Sequence, residues 1–165
     1  MTLTNLAVLP DWHHHLHPLL PCLLENLLTP QSKDRASEDI RYQSSRLLVN
    51  LTCNDDNIRP LLRARCPPGA TILALVARTA PEEQLLRNVT FLANLAAASV
   101  RLGLVDLRCN GENGEADGED LLAQLTDLRE AVVRESCWLA ENHKNSDIRM
   151  QARKMKMALS LTQSV

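Results

Sequence analysis

His13 and His17 stand four residues apart in the run HHHLH. On a helix that spacing puts two imidazoles on one face, where their ring nitrogens can ligate a metal. No carboxylate or cysteine is bound to lie near them in space, and Pro18 disturbs the helix that would aim them. The run therefore reads as the polar start of a helix near a terminus, and no metal is expected. Five cysteines (Cys22, Cys53, Cys66, Cys109, Cys137) lie far apart, with no CxxC among them. That pattern suits a reduced, cytoplasmic chain better than a disulfide framework or a zinc site. None has the local base signature of an activated nucleophile. GxGxxG, P-loop, GxSxG and HExxH motifs are missing, and His143 beside Asn142 and Glu141 makes no triad. The chain is expected to be non-catalytic and to carry no cofactor.

One further pair has the right spacing for recognition. In ESCWLAENHKN, Trp138 stands four residues before Asn142, so the two share a helix face. Trp is scarce here, with two in the chain. The pair is either core filler beside a solvated amide or the gripping pair of a peptide groove. Which it is depends on whether the rest of the chain repeats the segment.

The elements that would position these residues follow from composition and pattern. The chain has 165 residues, 45% apolar but only 2% aromatic. A core of Leu, Ala and Val favours packed helices over sheet. A net charge of −2 gives no reason to expect nucleic acid or an anionic membrane as partner. No apolar run approaches the ~18 residues of a membrane span, and MTLTNLAVLPDW is too polar for a signal peptide. The sequons at Asn50 and Asn88 fall inside apolar helical patterns and read as chance matches.

The periodicity predicts helices over about 16–28, from the Asp34–Ser37 region to Thr52, in NIRPLLRAR, in ATILALVART, and from Pro81 at the first helical position to about Ala98. CPPG forces a turn before ATILALVART. SVRLGLVDLRC reads as a short helix broken at Gly103, and the acidic, glycine-rich 110–120 as a mobile loop. LLAQLTDL and REAVVRESCWLAENH follow, then a last helix at about 146–161. Its stripe Ile148, Ala152, Met155, Leu159 would cover the end of the molecule. The basic ARKMKM would be solvated or, as an amphipathic stretch, bind a partner helix.

A repeat emerges from the long helices. RLLVNLTCN and TFLANLAAA superpose with Asn94 falling 44 residues after Asn50, and CWLAENH places Asn142 a further 48 residues on. Units of ~40–47 residues, each a long helix flanked by two shorter ones, are the pattern of armadillo and HEAT solenoids. ESCWLAEN resembles the third helix of an armadillo repeat. LLVNLTCNDDNIRPLLRARCPPGATILALVA is similar to that family's run from the end of a third helix through the first helix to the second.

The resemblance, over roughly 16–143, implies an all-α, right-handed α-solenoid of about three three-helix repeats. The units would be about 13–53, 54–98 and 99–143, followed by the helix at 146–161. It also implies a concave groove lined by third helices, with Asn50, Asn94 and Asn142 as an amide ladder and Arg46, Thr90 and Trp138 one turn before them. The amides would hold the backbone of an extended peptide or helix from a protein partner. Arg46 and Thr90 depart from the Trp that importin-like receptors carry there. The alternative within this scheme is that Asn50 and Asn94 only tie neighbouring repeats together. The function implied is a scaffold or adaptor of cell-polarity, cytoskeletal or ciliary assemblies, within or beside a longer array. A small-GTPase regulator of armadillo type is the alternative.

Overall fold

The structure is a computed structural model that describes residues 3–29, 34–104 and 120–161. The acidic stretch 110–120 lies outside these but for Asp120. Among the described residues the chain is helical, and its only strand-like pairing is one isolated antiparallel bridge between Arg65 and Asp120. The α-helices are α1 (Leu3–Leu6), α2 (His13–Leu16), α3 (Leu20–Leu28), α4 (Arg35–Leu51), α5 (Ile58–Leu62), α6 (Glu82–Arg101), α7 (Leu121–Asp127), α8 (Arg129–Asn142) and α9 (Ser146–Leu161).

Local chemistry sets the ends of these helices. Asp34 caps α4, its carboxylate accepting from the Ser37 amide at 2.9 Å. Asn145 caps α9 by accepting from Asp147 and Ile148 at 2.8 and 3.3 Å. At the far end of α6, Gly103 takes φ of 63°. Its amide reaches Val100 and that of Leu104 reaches Ser99 at 3.1 and 2.9 Å. This is the Schellman stop that a residue without Cβ adopts at no steric cost. The CPPG turn likewise depends on Gly69 at φ of 72°, with the Ala70 amide closing on the Pro67 carbonyl at 3.1 Å.

Three local expectations are corrected. The segment 16–28 is not one helix: a 3-10 turn at His17–Leu19 separates α2 from α3, because Pro18 and Pro21 remove amides an unbroken helix would use. ATILALVART gives only a 3-10 turn, Ile72–Val76. The Ile72 amide is drawn out of line by Gln124 Oε1 at 2.9 Å, and the Thr71 hydroxyl takes the next amide. Pro81 sits one place before the first helical residue, with its carbonyl accepting from Leu85 at 2.8 Å.

The core is one apolar cluster built mainly of leucine, with Phe91 fully buried in it. The long helices organise it. α4 packs on α6, α6 on α9, and α8 on α9, while α3 backs α4. Partner order shows that α4 and α6 run parallel: Tyr42 meets Glu83, Thr52 meets Asn94, and Asp55 meets Arg101. α6 and α9 are parallel as well, since Glu82 meets Asn145 and Asn94 meets Lys154. α8 doubles back on α9 through the short turn at 143–145, where the Arg149 guanidinium donates to the carbonyls of His143 and Lys144 at 2.7 and 2.9 Å.

Candidate functional site

The parallel helices α4, α6 and α9 pack in sequence, α4 on α6 and α6 on α9, and the sequence-derived ladder meets them in part. Asn50 and Asn94 occupy corresponding positions on α4 and α6. Both amides are half-buried and engaged within the chain. Asn50 donates to the Thr4 carbonyl at 3.2 Å. Asn94 donates to the Thr52 hydroxyl at 3.1 Å and accepts from the Lys154 ammonium at 2.7 Å. Asn94 therefore joins α4, α6 and α9.

Arg46 and Thr90 precede these amides by one turn. Arg46 is exposed, its guanidinium 5.8 Å from the centre of the Tyr42 ring, and the Thr90 hydroxyl is folded back onto the Leu86 carbonyl at 2.7 Å. Tyr42 is the centre of a polar cluster here. Its hydroxyl donates to Glu83 at 2.9 Å, and Arg87 lies over its ring at 4.2 Å while bonding both groups.

The structure does not bring Trp138 and Asn142 beside Asn94. They lie on α8, which is held by α9, α7 and the Ile72–Val76 turn rather than by α6. Asn142 is exposed and donates only to the Trp138 carbonyl at 3.0 Å. The Trp138 ring is covered by Arg78, 4.0 Å from its centre, and Arg78 is anchored by Glu135 at 2.8 Å. The aromatic face that would grip a ligand is thus taken by the chain's own guanidinium. The physical reason is the connectivity: α7, α8 and α9 form a three-helix set in which α9, not α8, packs along α6.

In the register set by the Asn94–Lys154 contact, Met150 stands where Thr90 and Arg46 stand, Lys154 where Asn94 and Asn50 stand, and Met157 where Ala97 and Cys53 stand. These α9 residues escaped sequence reasoning because their types do not match the asparagine pattern. One signal was available: Met150, Lys154 and Met157 lie opposite the buried stripe Ile148, Ala152, Met155 and Leu159, each of which is at most 7% exposed.

Two open grooves flank this ladder. One, of about 550 Å³, lies between the N-terminal segment and the end of α4, and is lined by Ala7, Val8, Asn50, Cys53 and Asp55 among others. The second, of about 430 Å³, runs between α6 and α9, over Ala97, Val100, Met150 and Met157.

His13 and His17 have a structural task instead of a ligand. Asn57, with no solvent exposure, donates to the Leu51 carbonyl and to His13 Nδ1, each at 2.9 Å, and its Oδ1 meets His17 Nε2 at 2.9 Å. His13 Nε2 is left to donate to the Ala7 carbonyl at 3.0 Å. The two imidazoles thereby fasten the N-terminal segment to the turn after α4. Among the described residues no group of His, Cys, Asp and Glu is placed to hold a metal ion. No helix described is long and apolar enough to cross a membrane. Of the sequons, Asn88 is buried and accepts from Gln84 at 2.7 Å, which leaves its amide no room for a glycan.

Among known proteins, a family model described as armadillo-like matches residues 1–105. No curated protein and no solved structure matches the chain. The match spans most of the chain, takes in both α4 and α6, and agrees with the helical architecture: this chain belongs to the armadillo-like family.

Proposed function

We propose that the chain is a non-catalytic protein-interaction module, a right-handed solenoid of three units that holds a segment of a partner along the face of α4, α6 and α9. The units on this reading are α1–α4, α5–α6 with the Ile72–Val76 turn, and α7–α9. The observation that supports it is three helices running parallel side by side, with Asn94 bonded to Thr52 on one neighbour and to Lys154 on the other, flanked by open grooves; on this reading Arg46–Thr90–Met150, Asn50–Asn94–Lys154 and Cys53–Ala97–Met157 form rows. Repeat proteins bind through such extended faces because stacking places equivalent positions at regular intervals. The exposed thiols of Cys22 and Cys53 accord with a reducing, cytoplasmic location.

The test is a proximity-labelling screen with the whole chain and single arginine substitutions. Cys53→Arg, Ala97→Arg and Met150→Arg on the face should each remove a common set of partners, and Glu130→Arg on α8 should remove none. Partners that survive all three face substitutions would place recognition elsewhere on the molecule.

A further inference from the structure

We infer that the groove between α6 and α9 takes an acidic amphipathic helix of a partner protein, its carboxylates between Arg153 and Lys154 and its aliphatic side chains on Met150 and Met157. This rests on the reading of the α4–α6–α9 face as the interaction face and adds the chemistry of what binds there.

The first support is charge. Both charged residues that line this groove are cationic, and neither meets a carboxylate among the described residues. Arg153 makes one long contact, 3.5 Å, to the Ala140 carbonyl. Lys154 is aimed by Asn94 Oδ1 at 2.7 Å, which uses one of its three donors and leaves the others for an incoming acceptor. On α6 of the same face the cations are matched within the chain, Arg87 by Glu83 and Arg101 by Asp55, whereas exposed Arg46 on α4 meets only the Tyr42 ring among the described residues. Of the unmatched cations on this face, Arg153 and Lys154 are the ones that line this groove.

The second support is shape. Met150 and Met157 are 56% and 67% exposed, large apolar side chains turned to solvent on a helix that buries its opposite stripe. Ala97 and Val100 continue the apolar floor onto α6. Methionine side chains adapt to the contour of a docked helix better than branched ones do.

The third support is spacing. Met150 and Met157 lie seven residues apart, about 10.5 Å along the axis, with Arg153 and Lys154 between them. A helix lying along the groove has the same rise. Aliphatic residues at its positions i and i+7, with carboxylates at i+3 and i+4, meet all four side chains in register.

The experiment uses the whole chain and a labelled, helix-stapled peptide of pattern Leu-x-x-Glu-Glu-x-x-Leu, read by fluorescence anisotropy. Controls replace Glu by Lys or Leu by Ser. The acidic peptide should bind at least about tenfold more tightly than either control and weaken as salt rises. Arg153→Glu should cost about tenfold and Met157→Gln several-fold, with helical content and melting unchanged because both side chains are exposed. No binding of the acidic peptide, equal binding of the lysine peptide, or undiminished binding to Arg153→Glu overturns the inference. If the peptide fails while Met150→Arg still removes cellular partners, only the acidic-helix chemistry falls. If Met150→Arg also leaves every partner in place, the face as a whole is refuted.

Discussion

An amide sealed from solvent with every polar atom engaged is expensive to delete, and Asn57 is such an amide. Asn57→Ala would leave the Leu51 carbonyl only the long bond from the Asn54 amide at 3.4 Å, take the shorter of two amide contacts from His13, and unlatch His17. Its loss should cost about 2–3 kcal/mol in chemical denaturation. Asn94→Ala removes bonds to a hydroxyl and an ammonium at a half-buried site and should cost about 0.5–1.5 kcal/mol. Asn142→Ala, exposed and bonded only within its own helix, should stay within about 0.5 kcal/mol. An order other than Asn57, Asn94, Asn142 would contradict these assignments. A separate acid-side effect belongs to Glu82. The amide of Asn145, then the ammonium of Lys144, hold its carboxyl below the usual glutamate range. The charged form is the one stabilised, so the contribution is present above that range and lost as pH falls through it. Glu82→Gln should therefore differ most from the native chain at neutral pH and low salt, and the two should converge in acid. The sequence told much less about Asn57 than about Asp34. A cap is read from the residues beside it, whereas the partners of Asn57 at 13 and 17 are set by tertiary folding.

At the scale of elements, the repeat was legible where residue types recurred. RLLVNLTCN and TFLANLAAA fall at the end of α4 and within α6, which pack side by side with Asn94 bonded to Thr52. The asparagine pattern points to α8 for a third copy, whereas the helix packed along α6 is α9. CWLAEN lies on α8, and the helix that extends the ladder carries lysine at the corresponding position. An apolar stripe identifies a helix but not its neighbour, so α9 read as a cover when it is the element on which both α6 and α8 pack. A chain ended after His143 should consequently lose far more helical signal than the residues of α9 account for, since α6 and α8 would each expose an apolar face. Within the intact chain, Met155→Ala should cost about 2–5 kcal/mol, as full burial of its side chain demands. A truncated chain with an unchanged melting transition would make α9 an accessory.

The molecule as a whole is organised as a succession of neighbours rather than around a single centre. α3 backs α4, α4 meets α6, α6 meets α9, and α9 meets α8. Further links run through the Ile72–Val76 turn, which buries Ile72, Leu75 and Val76 and touches α3, α6, α7 and α8, and through Gln124, whose amide pairs with the Ala70 carbonyl at 2.8 Å and the Ile72 amide at 2.9 Å. In such an array stability is close to a sum of unit terms and interfaces between adjacent units, so damage spreads by way of neighbours. Leu24 on α3 and Met155 on α9 are both fully buried, and they lie toward opposite ends of the succession. Under native conditions, Leu24→Ala should reduce amide hydrogen-exchange protection most in α3 and α4, less in α6, and least in α9. Met155→Ala should show the reverse gradient, strongest in α8, α9 and α6. The gradient is a property of openings smaller than global unfolding, so it should fade as denaturant makes the global transition dominant. If either substitution lowers protection equally in α3, α6 and α9 without denaturant, the chain opens as one cooperative body. The three units proposed above would then have no separate energetic existence, and binding at the α6–α9 groove would be coupled to the N-terminal latch at Asn57.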